Sequence, residues 1–226
     1  MDPDPTPPTR QDLLRWSEAL AGIAKTGLGF TDSLYEKERY EEVLAVAGDI
    51  RVAAGTDFDA DHYVDEWLKG VGDGVPGYQT PKIAIGAVVT NDAGELLLVQ
   101  RADSGVWLYP TGWADIGYSA AEVAVKEVGE ETGIECEVDR LLMVLDGMRL
   151  GFTTVPLYSL VFFCRATGGE LQRHELETSA VGFFAEDDLP EPLAGFDHWG
   201  EQVFRAIRGE ETEVWFDPPR DDTWRR

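Results

Sequence analysis

Basic residues are scarce in this chain: its 226 residues include 19 Lys and Arg against 43 Asp and Glu, for a formal charge of −24. No basic stripe exists to displace counterions from a duplex, which excludes a long nucleic acid as partner. Self-repulsion on this scale keeps a chain in solution and resembles surfaces adapted to high salt. Cysteine is nearly absent as well. Cys136 and Cys164 each fall in an apolar run expected to be a strand, with no C-x-x-C or His–Cys pairing for zinc, so they read as buried thiols in a reducing compartment. Also missing is any apolar run near the roughly 18 residues that span a bilayer. The opening MDPDPTPPTR has no basic segment followed by an apolar one, so no targeting leader is expected. These absences point to a cytoplasmic protein without a membrane partner.

Residues 1–8, four of them Pro, are expected to be disordered. Thr9 or Asp12 can cap a first helix carrying Leu13, Leu14, Trp16, Leu20 and Ile23, stopped by Gly27 and Gly29. A second helix is expected from after Asp32 toward Ala54, burying Tyr35, Tyr40, Val43, Leu44, Val46 and Ile50, and a third from Asp59 to Leu68. Residues 9–69 thus make a small helical domain, marginal alone, expected to pack on a second domain or on its copy in a homodimer. Within it, Tyr35, Lys37, Arg39 and Tyr40 offer either ion pairs with neighbouring Glu residues or a phosphate contact. Residues 70–81 read as a linker, and their GVGDGVPG lacks any phosphate-loop spacing.

From Lys82 the apolar period changes. KIAIGAVVT and ELLLVQR, separated by Asn91–Gly94, read as a hairpin. Further strands are expected in CEVDRLLMVLDG, around Val155–Arg165 and over Val181–Phe184, with a turn at Gly168-Gly169 and a helix over Asp197–Ile207. Strands flanking helices define an α+β sandwich over residues 82–209. Residues 210–226 form a tail in which Trp215, Phe216 and Trp224 are apolar enough to dock.

The stretch Gly112–Ile134, GWADIGYSAAEVAVKEVGEETGI, carries the chemistry. Ser119 and Glu122 have capping-box spacing, Ala121, Ala124, Val125 and Val128 form an apolar stripe, and Gly133 stops the helix. Away from that stripe lie Glu127, Glu130 and Glu131, at i, i+3 and i+4. Like charges so placed destabilise a helix by about 0.2–0.5 kcal/mol a pair, and acids near a helix C-terminus oppose its dipole. They are either a solvated face of an acidic chain or oxygen ligands for a hard divalent cation.

These residues resemble the Nudix hydrolase box, a glycine, five residues, a glutamate, seven residues, then R-E-apolar-x-E-E-x-G-apolar. Gly112, Glu127, Val128, Glu130, Glu131, Gly133 and Ile134 match it in register, whereas Tyr118 replaces the first Glu, Lys126 the Arg, and Thr111 interrupts a P-G-G. The wider pattern of Trp107, Pro110, Gly112, Trp113, Ala114, Asp115, Gly117 and Ser119, with IAKTGLGFTDSLYEKERY upstream, is similar to the subgroup with a leading helical domain that acts on X-linked nucleoside diphosphates. The resemblance implies a Nudix α/β/α sandwich with a mixed sheet, and Mg²⁺ or Mn²⁺ held by Glu127, Glu130 and Glu131, completed by a backbone carbonyl of Thr111 or Gly112. It further implies catalysis through Glu131 and through Glu177, with Glu175 as second choice. Trp107, Trp113, Phe152 and Tyr158 are candidates to stack on a nucleobase, and the small-molecule substrate would be of ADP-ribose or CDP-choline type. Intact ligands with altered support predict slower turnover, or else a nucleotide-binding sensor on a degenerate scaffold.

Overall fold

The computed structural model describes residues 7–71, 80–115, 117–149, 153–210 and 213–219. The readings above for residues 1–6, for 72–79 of the linker, for Phe152 and for Trp224 fall outside them. The chain divides into two compact units, Met1–Pro81 and Lys82–Arg226.

The first unit holds α1 (Arg10–Phe30), α2 (Leu34–Ala53) and α3 (Ala60–Lys69). Thr9 caps α1 and the Asp12 carboxylate bonds back to it, so both candidate caps act together. A small core of Ala21, Ala24, Leu28, Leu44, Ala47 and Trp67 is reinforced by polar ties: the Ser17 hydroxyl donates to the Ala47 carbonyl at 2.8 Å, and buried Arg51 pairs with Glu18. Two expectations change here and one open choice is decided. Helix α1 passes Gly27 and Gly29 and ends at Phe30, because Gly27 serves to admit the Tyr40 ring, which a Cβ would overlap. Tyr35 and Val46 are 67% and 52% exposed, since the buried face of α2 steps through Leu44, Ala47, Gly48 and Arg51. Arg39 pairs with Glu42 at 2.8 Å and lies 5.1 Å from the Tyr35 ring centre, so ion pairing is the realised reading of that cluster.

The second unit contains β1 (Lys82–Thr90), β2 (Leu96–Arg101), β3 (Trp107–Leu108), β4 (Thr111–Trp113), α4 (Ala120–Thr132), β5 (Ile134–Asp146), β6 (Leu157–Gly169), β7 (Thr178–Phe184), α5 (Phe196–Ile207) and β8 (Trp215–Phe216). The strands run β3-β2-β1-β6-β5-β8, with β4 also on β1 and β7 on β2. Pairs β1–β6 and β5–β8 are parallel and the others antiparallel, so the sheet is mixed. Alternation puts Ile85, Ala87 and Val89 of β1 against Val123, Ala124 and Val128 of α4. Val88 faces the other way, into a core with Trp199, Val203 and Phe204 of α5. Burial on both faces explains why these strands read as unbroken apolar runs, and it makes the unit an α/β/α sandwich.

Local chemistry closes the joints. In the β1–β2 turn, Asn91 Oδ1 accepts from the N–H groups of Ala93 and Glu95, each at 3.0 Å, and Gly94 supplies a φ of 77°. Cys136 and Cys164 are buried and free. The tail contributes β8 as a parallel edge strand, with Asp217 Oδ2 accepting from the Asp146 N–H at 2.7 Å. Strand β6 continues through Gly168 and Gly169 to pair with Glu135 and Ile134, so the expected turn there is absent. At the end of α4, Gly133 has a φ of 72°, and a Cβ on it would overlap the Glu170 carbonyl, whereas a Cβ on mid-helix Gly129 would meet nothing within 4 Å. Urea unfolding should therefore find Gly133→Ala destabilised by at least about 1 kcal/mol, and Gly129→Ala stabilised by about 0.5–1 kcal/mol.

Candidate active site

The phase of α4 decides which carboxylates enter the sheet. Ser119 Oγ accepts from the Glu122 N–H at 3.3 Å, and Glu122 Oε2 accepts from the Ser119 N–H at 2.7 Å. With the start so fixed, four- and three-residue steps from Ala124 lead to Val128 and then to Glu131, which is only 7% exposed. Glu131 thus lies on the buried face rather than away from it. Val123 takes the place in the stripe expected of Val125, which is 39% exposed.

Two carboxylates meet β4. Glu131 Oε2 accepts the Thr111 N–H at 3.0 Å. The Glu127 carboxylate lies so close to Gly112 that a Cβ there would overlap it and push the carboxylate off this backbone. Burial pushes the Glu131 carboxyl up to about 8, further raised by the negative charges of Glu127 and Glu177 and opposed by the Thr111 bond. Burial raises Glu127 too. Glu130 turns outward, where Lys126 Nζ lies 3.0 Å from it, 3.4 Å from Asp115 and 3.5 Å from Glu127. Glu177, just before β7, is exposed, with His174 Nδ1 at 3.7 Å. These groups line a cleft of about 440 Å³.

Among the described residues no three Asp, Glu, His or Cys side chains are gathered into a metal cage: Glu130 is drawn to Lys126, and Glu131 to Thr111. The donor set nevertheless suits a hard divalent ion. It is oxygen-only, it sets the buried carboxylate of Glu131 near the partly buried one of Glu127, whose charge acts on it unfavourably, and the missing Cβ of Gly112 leaves Glu127 room.

A second, more apolar cavity of about 590 Å³ adjoins the first, with Tyr109 and Trp199 among its walls. Trp113 lines both and is half exposed, its ring 5.4 Å from Lys82 Nζ. The other aromatic candidates stand elsewhere. Trp107 packs edge-on against Phe184 at 5.2 Å, on the α5-side core. Tyr158 points to the opposite face of β6 from Leu157 and Ser159, which line the cavity. Glu175 lies beyond the cleft lining that includes Glu177.

Sequence reasoning missed Arg101. It ends β2, lines both cavities, is held by Asp103 through Nε at 2.9 Å, and is drawn electrostatically toward Glu131 and Glu177. The signal was present as an Arg closing a largely apolar strand in a chain poor in cations. Also unassigned before were His174 beside Glu177 and the place of Asp115 among the Lys126 partners.

An acidic, oxygen-lined cleft at the edge of an α/β/α sandwich is the arrangement that the box resemblance implies, and comparison with known proteins agrees. The NUDIX domain family model matches residues 80–207. The Bacillus subtilis (strain 168) protein named "Putative ADP-ribose pyrophosphatase YjhB" is 34% identical over 183 residues, covering 80% of this chain and 84% of its own. An ADP-ribose pyrophosphatase structure from Streptococcus suis 89-1591 shares 37% identity at a TM-score of 0.53, over 61% of this chain and 100% of that one. A UDP-X diphosphatase structure shares 28% identity at a TM-score of 0.55, over 92% of this chain and 100% of that one. The chain belongs to the Nudix hydrolase superfamily, as a pyrophosphohydrolase with a helical domain ahead of the catalytic fold.

The raised Glu131 carboxyl makes metal-free stability depend on pH. A carboxyl raised in the folded state stabilises the fold below its unfolded value, and that contribution is lost as pH rises through the folded one. In EDTA, urea midpoints are expected to fall between about pH 4.5 and about pH 8, and Glu131→Gln should remove most of that slope.

Proposed function

We propose that the chain hydrolyses the pyrophosphate linkage of a nucleoside diphosphate joined to a second moiety X, of ADP-ribose or CDP-choline type. The products are a nucleoside monophosphate and phosphorylated X. The observation that carries this reading is adjacency: an apolar cavity rimmed by Trp113 opens into the cleft of Glu127, Glu130 and Glu131, and Arg101 lines both. A nucleoside in the first cavity would place its diphosphate in the second. The similar proteins named for ADP-ribose and UDP-X favour this substrate class.

Glu127 and Glu131, with Glu130 and a backbone carbonyl of Thr111 or Gly112, would hold Mg²⁺ or Mn²⁺. When bound, such an ion neutralises phosphate charge and lowers the pKa of a coordinated water. The chain's own residues supply the rest. Arg101 offers a planar fork to the diphosphate oxygens once it leaves Asp103, and Trp113 stacks on the base. Water adds its oxygen to one phosphorus as the bridging P–O bond breaks, and its proton passes to Glu177, which is exposed to the cleft, or to Glu131. The two free thiols fit a reducing cytoplasm. A homodimer is part of the same reading, supported by exposed Trp16, Ile23 and Phe30 at seven-residue steps along α1.

The test is release of nucleoside monophosphate from a panel of ADP-ribose, CDP-choline and UDP-sugars with Mg²⁺. At least one is expected to turn over, with the rate falling about 10²-fold or more in Glu131→Gln. Calorimetric binding without turnover of any member would instead favour a nucleotide sensor. For the substrate that turns over, Arg101→Ala is expected to raise KM about tenfold, equivalent to about 1.4 kcal/mol, with a smaller effect on kcat. An unchanged KM would remove Arg101 from the phosphate site.

A further inference from the structure

Lys126, standing where the box has an arginine, places a cation among the acids assigned to the metal. Its ammonium lies within 3.5 Å of three carboxylates, Glu130 and Glu127 of α4 and Asp115 of the preceding loop. The shortest of these contacts is to Glu130, at 3.0 Å. Glu127 and Glu130 are also two of the three acids assigned above to the divalent ion. An ammonium and a divalent cation on the same pair of carboxylates repel each other, so each weakens the other's hold. Lysine suits a temporary role here. Its charge is compact, sits on a flexible four-carbon stem, and is not tied into a planar two-pronged bond as an arginine would be.

We propose that Lys126 is a displaceable counter-ion of the metal-free site: its ammonium gathers Glu127, Glu130 and Asp115 until a divalent cation takes the two glutamates, whereupon it withdraws to Asp115. The proposal rests on the assignment of the metal to α4. It gives Lys126 two opposed effects. Without metal it relieves the repulsion between Glu127 and Glu130, and so supports the fold. Toward metal it competes, and so lowers affinity. A lysine acting only as a strut would support both states.

The experiment uses the full chain. Mn²⁺ is titrated calorimetrically into wild type, Lys126→Met and Glu131→Gln, with thermal unfolding followed in EDTA. Lys126→Met is expected to melt lower in EDTA yet bind Mn²⁺ about two- to fivefold tighter, the effect of losing one partly exposed ion-pair competitor. In parallel, the five lysines are labelled by reductive ¹³C-methylation, which retains their charge, and the Lys126 resonance is assigned by its loss in Lys126→Arg. It should shift when saturating Mg²⁺ is added. This second measurement uses the wild-type fold and stands even if Lys126→Met does not fold. Suppose wild type binds Mn²⁺ and Glu131→Gln abolishes that binding. Unchanged or weaker affinity in Lys126→Met, or an unmoved Lys126 resonance, then overturns the displacement and leaves the metal assignment intact. Absence of Mn²⁺ binding, or binding indifferent to Glu131→Gln, overturns both.

Discussion

The repulsion between Glu127 and Glu131, held against the backbone of β4, is the constraint on which the rest of the catalytic unit depends. A helix that presents one buried and one partly buried carboxylate to a sheet edge must be fixed in phase, or the acids turn into solvent. The Ser119–Glu122 capping box fixes one end of α4, Gly133 in the left-handed region fixes the other, and Val123, Ala124 and Val128 lock its face to β1 and β2. The Thr111 N–H and the bare Cα of Gly112 then receive the two carboxyl groups. Each device is ordinary, and together they hold charge where desolvation opposes it.

That arrangement also gives a use to the chain's few cations. In a protein with a net charge of −24, the acidic cleft has Arg101 and Lys126 in its lining, each engaged with carboxylates. Arg101 stands where the apolar cavity meets the acidic cleft, and Lys126 among the helix acids. An anionic substrate entering such a cleft meets net repulsion unless cations are positioned for it. The placement of these two side chains therefore matters more than their number.

Much of the fold was legible beforehand because its signals are local. Capping spacings located α1 and α4, the Asn91–Gly94 turn located the first hairpin, and runs buried on both faces marked β1 and β2. Strands β3 and β4 were not legible, since two or three residues show no period, and β4 is the strand that meets the acids. The site was legible in part for the same reason. The box acids follow a pattern along one helix, whereas Arg101 is brought to them by β2, and Trp107 and Tyr158 were separated from Trp113 by side-chain alternation and core packing that their composition did not reveal.

The sequence by itself pointed to the family and its α/β/α architecture through the box residues of Gly112–Ile134, and to an α+β unit with three acids on one helix through helix period, caps and turn residues, which act over a few positions. Only the tertiary structure decided that Glu131 is buried and Glu130 is not, that the Glu127 carboxylate lies against the bare Cα of Gly112, that Lys126 shares three carboxylates, and that one aromatic candidate faces the cleft among those described. These depend on which strand lies opposite each side chain. Desolvation and charge proximity are set by neighbours distant in the chain, and no spacing along one helix encodes them.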